Sequence, residues 1–231
     1  MVKVASYNIR KGIGTDRRRR PARVLDVLNE IGADIIALQE ADRRFGLRQS
    51  ALPPELIAAE TDYIPVPFET RAESLGHHGN AILVRRGFSV LAHDILHLPT
   101  IEPRGAVLAD IDVGGAAVRI VGMHLDLSGL RRRQQVRAVL AEVDRRDPPL
   151  PSILMGDMNQ WSHHGGCMDE FVGGHHLAHT GPSFHSQRPM ARLDRIFVSA
   201  DLHILAAGTH HSLKARQASD HLPVWAELSF G

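Results

Sequence analysis

Cysteine is almost absent from this 231-residue chain. Cys167 stands alone, so there is no internal disulfide and no thiolate cluster for a metal. Aromatic residues make up only 5%, which weakens any reading that needs an extended surface for gripping nucleic acid. No apolar run approaches the roughly 20 residues that span a bilayer. Neither sign of charge dominates: 27 Lys and Arg against 26 Asp and Glu leave a formal +1, which excludes a polycation. Met1 to Tyr7 passes straight into strand-like sequence without a signal-peptide pattern, so a cytoplasmic location is expected.

What is present is a globular composition, 43% hydrophobic and 23% charged, in a chain long enough for one sizeable domain. There is no internal repeat, low-complexity linker or break in composition, so residues 1–231 are expected to form a single domain. Basic character is local, at Arg17 to Arg20 and Arg131 to Arg133, and the fifteen histidines are many for this length.

Val2 to Ile9 reads as a first strand. Pro21 opens a helix whose apolar residues, Val24, Leu25, Val27, Leu28 and Ile31, recur at three-and-four spacing until Gly32. Asp34 to Gln39 is a continuous apolar run suited to a sheet covered on both faces. A weak helix within Arg43 to Glu60, a short strand at Tyr63 to Pro67, and strands at Gly79 to Val84 and Phe88 to Leu98 follow. Ala106 to Val113 and Ala117 to Met123 form a hairpin about Gly114-Gly115. Leu130 to Arg146 is an amphipathic helix with Val136, Val139, Leu140 and Val143 inside. A strand from Ile153 leads to Asp157, and Gln160 to Arg192 is a long irregular segment rich in histidine. Strands at Leu193 to Val198, Leu202 to Thr209 and Pro223 to Phe230 close the chain. Some neighbours are linked as hairpins and others through helices. Two sheets packed face to face with helices outside satisfy that pattern, an α/β architecture.

Polar groups collect at strand ends. Asn8, Glu40, His124 and Asp157 with Asn159 stand where strands finish; Asp194 and Asp220-His221 stand where strands begin. In a mixed sheet, the end of one strand and the start of its antiparallel neighbour share an edge, so one rim can hold them all. If the extended backbone continues beyond Gly156, Asp157 and Asn159 project from the same side. Taken singly, each is an ordinary turn former or strand-end polar residue. Taken together, the oxygen ligands Glu40, Asn8, Asp157 and Asp220 suit Mg²⁺ or Mn²⁺ rather than zinc, and the inventory suits metal-assisted phosphoester hydrolysis.

Tyr7-Asn8-Ile9, Leu38-Gln39-Glu40, Gly79-Asn80-Ala81, His124-Leu125, Gly156-Asp157-Met158-Asn159, Leu193-Asp194-Arg195-Ile196 and Ser219-Asp220-His221 resemble, in order, the motif series of the endonuclease/exonuclease/phosphatase (DNase I-like) superfamily. The series spans residues 7 to 221. The resemblance implies a four-layer α/β sandwich. It implies Glu40 as the principal Mg²⁺ ligand, with Asn8 beside it and Asp220 near the metal. Asp157 would align the nucleophilic water and Asn159 would support the water or bind phosphate. His221, oriented by Asp194, would contact the scissile phosphate, and His124 would face the leaving group. Asn80 and Arg104 are further candidates for phosphate contact. Some family nucleases have an acidic residue near the Gly79 corner; this chain has His78, Gly79 and Asn80 there.

The implied substrate is a phosphodiester, whether a small molecule, a phospholipid head group or a nucleic acid, with no obligate protein partner evident. A nuclease would use the Arg17 to Arg20 loop to follow a phosphate backbone, with steep salt dependence. Near-neutral charge and scarce aromatics favour a general phosphodiesterase. A non-catalytic binding module on the same fold would be expected to have lost Glu40, Asp157 or His221, and all three are present.

Overall fold

Two six-stranded mixed sheets stack face to face, with helices against their outer sides. The computed structural model describes residues 1–43, 49–68, 74–100, 104–162 and 164–231. The first sheet contains β1 (Val2–Asn8), β2 (Ile35–Gln39), β3 (Tyr63–Pro65), β4 (Ala81–Arg85), β11 (Leu202–Thr209) and β12 (Val224–Phe230). Its order is β11-β12-β1-β2-β4-β3. The second contains β5 (Ser89–Leu96), β6 (Gly105–Asp112), β7 (Ala117–His124), β8 (Ser152–Asp157), β9 (His175–Leu177) and β10 (Asp194–Ser199), in the order β5-β6-β7-β8-β10-β9.

Each sheet has one parallel pair at its centre. β1 joins parallel β2 through helix α1 (Pro21–Ile31), and β7 joins parallel β8 through helix α3 (Gly129–Arg145). A parallel pair needs such a crossover, and the helix it supplies covers the sheet's outer face. Helix α1 begins at Pro21, whose missing N–H costs nothing there. It ends at Gly32, which takes the left-handed conformation (φ 57°) while its N–H donates to Leu28 O. Alternate residues of β1 divide between the two sides: Val4 joins the core between the sheets, while Ala5 and Tyr7 join the cluster that includes Val24 and Leu28 of α1.

The hairpin about Gly114-Gly115 and the strand boundaries match the sequence reading to within one to three residues. Three details differ. Helix α3 buries Gln135 with Val136, Val139 and Val143 and leaves Leu140 only partly covered. Gln135 is accepted because Asp126 N–H donates to its Oε1 (2.9 Å) and its Nε2 donates to Pro99 O (3.2 Å). The histidine-rich segment is not wholly irregular: a 3-10 turn at Gly166–Phe171 and the edge strand β9 lie within it. The His175-His176-Leu177 strand follows two glycines and has no apolar alternation to mark it. Helix α4 (Leu213–Ala218) was also not legible; its start is capped by Ser212 Oγ, which accepts from Ala215 N–H (3.0 Å). The weak helix after Arg43 is α2 (Pro54–Glu60). No helix among the described residues is long and apolar enough to cross a membrane.

Candidate active site

The four central strands of the sandwich end on one rim. β1 and β2 are parallel, so Asn8 and the residue after Gln39, Glu40, lie side by side. β7 and β8 are parallel in a register that puts His124 opposite Asp157, and antiparallel β10 begins with Asp194 opposite Asp157. β12 runs antiparallel to β1, so the residues just before it, Asp220 and His221, reach the same edge. The carboxyl ends of parallel strands, where helical crossovers leave to opposite sides, are where α/β sheets commonly bind ligands.

Side-chain bonds then cross between the sheets. Asn8 Nδ2, on the first sheet, donates to Asp157 Oδ2 on the second (3.0 Å). His221 Nδ1, on the first, is 2.7 Å from Asp194 Oδ2 on the second. Asp157 Oδ2 also lies 3.4 Å from His124 Nε2 and 3.8 Å from His221 Nε2. Asp157, Asp194, His124 and His221 are all buried. The sequence motifs thus converge on a single polar cluster at the mouth of the sandwich.

Gly156 explains part of the precision. A Cβ there would sit 1.8 Å from Met123 O, because β8 passes so closely under β7 just before Asp157. Gly156→Ala is expected to lower stability by about 1–3 kcal/mol through overpacking and to displace Asp157. Urea unfolding measures the first effect, and an unchanged midpoint would contradict the close approach.

The extended backbone does not continue past Asp157. Asn159 has φ 47°, a left-handed turn that asparagine tolerates. Its N–H donates to Asp157 Oδ1 (3.0 Å) and its Nδ2 to Leu125 O (2.8 Å). Asn159 therefore braces Asp157 instead of projecting beside it. Asn80 is likewise committed: its Nδ2 donates to His77 O (3.3 Å) and Gly105 O (3.1 Å), and its buried Oδ1 has no partner among the described residues. Arg104 contacts His124 Nε2 at the start of β6. Glu102 and Pro103, which precede it, lie outside the described residues, as does His163.

Glu40 takes a left-handed backbone (φ 53°), and so do Arg10 and Lys11 just beyond the neighbouring β1 (φ 46° and 57°). Such conformations cost of order 1–3 kcal/mol each and persist only where surrounding bonds impose them. Here Lys11 N–H donates to Glu40 O (3.0 Å), and Arg10 N–H donates to Asn8 Oδ1 (3.1 Å). The Lys11 ammonium pairs with the Glu40 carboxylate, and Arg10 Nε lies 3.2 Å from Asp220 Oδ2.

Electrostatics divides the carboxyls. Burial alone would raise Asp157, but its contacts with His124 and His221 and the Asn159 N–H hold it well below the usual carboxylate range. Burial would also raise Glu40; His124, Lys11 and Arg104 outweigh it and lower the group. Burial raises Asp194, against the opposing pull of His221 and Ser183. Burial would depress His221, yet the carboxylates of Asp194, Asp157 and Asp220 push it up to about 10. His221 is thus an imidazolium at neutral pH, with Nδ1 held by Asp194.

Oxygen ligand atoms of Asp157 and Asp194 and a nitrogen of His221 lie within 4.8 Å of one another. That trio is better described as a hydrogen-bonded relay than as a metal cage, since Asp194 Oδ2 already accepts from His221 and from Ser183 Oγ (2.5 Å). The set around Glu40, Asn8 and Asp220 fits a hard divalent cation better. Its donors are oxygens, and its carboxylates already hold cationic side chains.

Several residues at this rim carried no recognised signal. Ser183 and Phe184 sit in the irregular segment, where no periodicity marks them. Ser183 Oγ donates to Asp194, and the Phe184 ring lies 5.0 Å from that of His221. Exposed Trp161 meets Phe184 edge-on at 6.0 Å. Arg10 and Lys11 open the loop that carries the Arg17 to Arg20 run and follow Ile9 after Asn8. Buried Arg195 donates through Nη2 to Gln160 O and Ser162 O (2.9 Å each), tying down the segment after Asn159. His175 and His176 do not join the site: they pair with Ser199 and Val198 at the opposite end of β10.

The profile of the Endonuclease/Exonuclease/phosphatase family matches residues 5–221. No curated protein sequence matches the chain. Among solved structures, an endonuclease/exonuclease/phosphatase from Bacteroides vulgatus is similar with a TM-score of 0.79 and 18% identity, covering 100% of this chain and 99% of that one. A mannosyl-6-phosphatase from Bacteroides thetaiotaomicron gives 0.77 and 22%, covering 100% of both. TDP2 from D. rerio, complexed with a single-strand DNA product, gives 0.75 and 16%, covering 99% and 98%.

Proposed function

The chain belongs to the endonuclease/exonuclease/phosphatase family, and from that premise we propose that it is a Mg²⁺-dependent phosphoester hydrolase acting on phosphodiesters, with Mn²⁺ as a substitute ion. The observation that carries this reading is the pair of cross-sheet bonds, Asn8 to Asp157 and His221 to Asp194, which gather distant motifs around one point.

Glu40, Asn8 and Asp220 would hold the ion, with Lys11 and Arg10 giving up their pairing to it. Bound there, a divalent cation polarises a phosphoryl oxygen and neutralises developing charge. Asp157 orients the attacking water. Its carboxyl lies far below neutrality, so it is a weak proton acceptor and acts chiefly by aligning the water's hydrogen. The water's oxygen bonds to phosphorus as the P–O bond to the leaving group breaks, and the proton the water loses passes along the Asp157–His124 contact to the departing oxygen. His221, protonated and with Nδ1 occupied, presents Nε2–H to a non-bridging phosphoryl oxygen. His124, beside Asp157 and Arg104, faces the leaving oxygen. Asn159 holds Asp157, and Asn80 holds the corner through which β4 enters.

A nucleic-acid substrate is the second reading. It is favoured by the exposed Arg17 to Arg20 run on the loop that follows β1, and by the fold shared with a TDP2 that holds a DNA product. Hydrolysis of bis-p-nitrophenyl phosphate with Mg²⁺ or Mn²⁺, abolished by EDTA, tests the first reading. Absence of turnover with either ion would leave a binding module as the better account. Plasmid nicking and a phospholipid panel, each at low and high salt, separate the substrates, because a nuclease tracking several phosphates loses affinity steeply with salt.

A further inference from the structure

A groove adjoins the Asp220 end of the rim, and the reaction as derived does not use it. It has a volume of about 610 Å³ and is lined by Thr15, Asp16 and Arg23 on one side and Gln187 and Arg216 on the other. The first wall is a tight basic loop closed by an antiparallel bridge between Ile13 and Arg19. The second is α4 and the residue after Ser186.

The walls are joined at the floor. Thr15 N–H donates to Gln217 O (3.1 Å), and Gln187 Nε2 donates to Arg216 O (2.6 Å) and Thr15 Oγ1 (3.4 Å). The groove is also tied to the catalytic rim. Ser186 N–H donates to Asp220 O (2.7 Å), and Ser186 Oγ donates to Ser219 O (2.7 Å). The loop on the other wall begins at Arg10, which pairs with the Asp220 carboxylate.

Charge in the groove does not cancel. The one acid, Asp16, is neutralised by Arg23 Nη2 at 2.7 Å and held ionised by that bond and the Arg18 N–H. The exposed Arg216 guanidinium makes no ion pair or side-chain hydrogen bond with any described residue. Arg17, Arg18, Arg19 and Arg20 are exposed on the same loop. An open, polar, concave surface with surplus arginine suits an oxyanion, which guanidinium recognises through paired N–H donors.

We propose that this groove is a second anion site, taking a phosphate or carboxylate elsewhere on the substrate molecule whose phosphoester is cut at Asp157 and His221. The proposal rests on the hydrolase reading above and adds that the natural substrate carries more than one anionic group.

The test uses p-nitrophenyl 5′-esters of thymidylate and of di- and trithymidylate, each with and without a 3′-phosphate, alongside bis-p-nitrophenyl phosphate. In at least one pair the 3′-phosphate is expected to lower KM about tenfold, the usual worth of one charge-assisted contact. Arg216→Glu is expected to erase that difference and Arg216→Lys to keep part of it, with thermal unfolding showing both variants folded. Equal KM in every pair, or a preference that survives Arg216→Glu, overturns the groove while turnover of bis-p-nitrophenyl phosphate leaves the hydrolase reading intact. No turnover of any ester by the wild type overturns both.

Discussion

Asp157→Asn is expected to lower kcat on bis-p-nitrophenyl phosphate by about 10²–10⁴, the range for a positioned group acting on the nucleophile's proton. KM should change little, because the group is assigned to aligning water and not to holding the ester. The substitution is nearly isosteric, but an amide keeps only one acceptor oxygen, so either Asn8 Nδ2 or the Asn159 N–H loses its partner. What disappears is the negative charge between His124 and His221, which lie 3.4 and 3.8 Å away. Asp157→Ala should be as inactive and also less stable, since it strips the acceptor from Asn8 and from the Asn159 N–H. Steady-state kinetics with circular dichroism of each variant distinguishes lost chemistry from lost fold. Activity within a few-fold of wild type in a folded Asp157→Asn protein would remove Asp157 from the reaction.

His221→Gln is expected to cost a similar factor of about 10²–10⁴ in kcat, and His221 carries a pH signature besides. Its folded value is pushed up to about 10, against an ordinary 6.5. The group is therefore charged throughout the neutral range, and its loss as a donor should appear as a fall in kcat when pH rises through about 10. For stability the sign is the same. A cation stabilised by folding contributes fully below its unfolded value near 6.5, progressively less above it, and nothing once pH exceeds about 10. The difference in urea stability between wild type and His221→Gln should shrink between pH 6.5 and 10. Asp194→Asn removes the carboxylate that holds Nδ1 and should move the alkaline fall in kcat to lower pH. A profile that does not move in Asp194→Asn would show that Asp194 does not govern His221.

Much of this was legible along the chain. The apolar run of β2, the three-and-four spacing of α1 and the hairpin at Gly114-Gly115 are local patterns, set by side-chain hydrophobicity and turn stereochemistry. So was the placement of Asn8, Glu40, His124, Asp157, Asp194 and Asp220-His221 at strand boundaries. The residues that differ from expectation do so for non-local reasons. Asn159 turns back because Leu125 O, just past the end of β7, captures its amide. His175 and His176, in the segment expected to be irregular, form a short edge strand because they pair with the far end of β10.

The sequence by itself determined which side chains are available and that they sit where strands begin and end, because strand periodicity and turn preference are properties of neighbouring residues. Only the tertiary structure decided which atoms meet. Asn8 and Asp157 are 149 positions apart and His221 and Asp194 are 27 apart, and each pair bridges two different sheets. Such contacts arise from how the two sheets pack over a common core, and no window of consecutive residues contains the geometry that sets them.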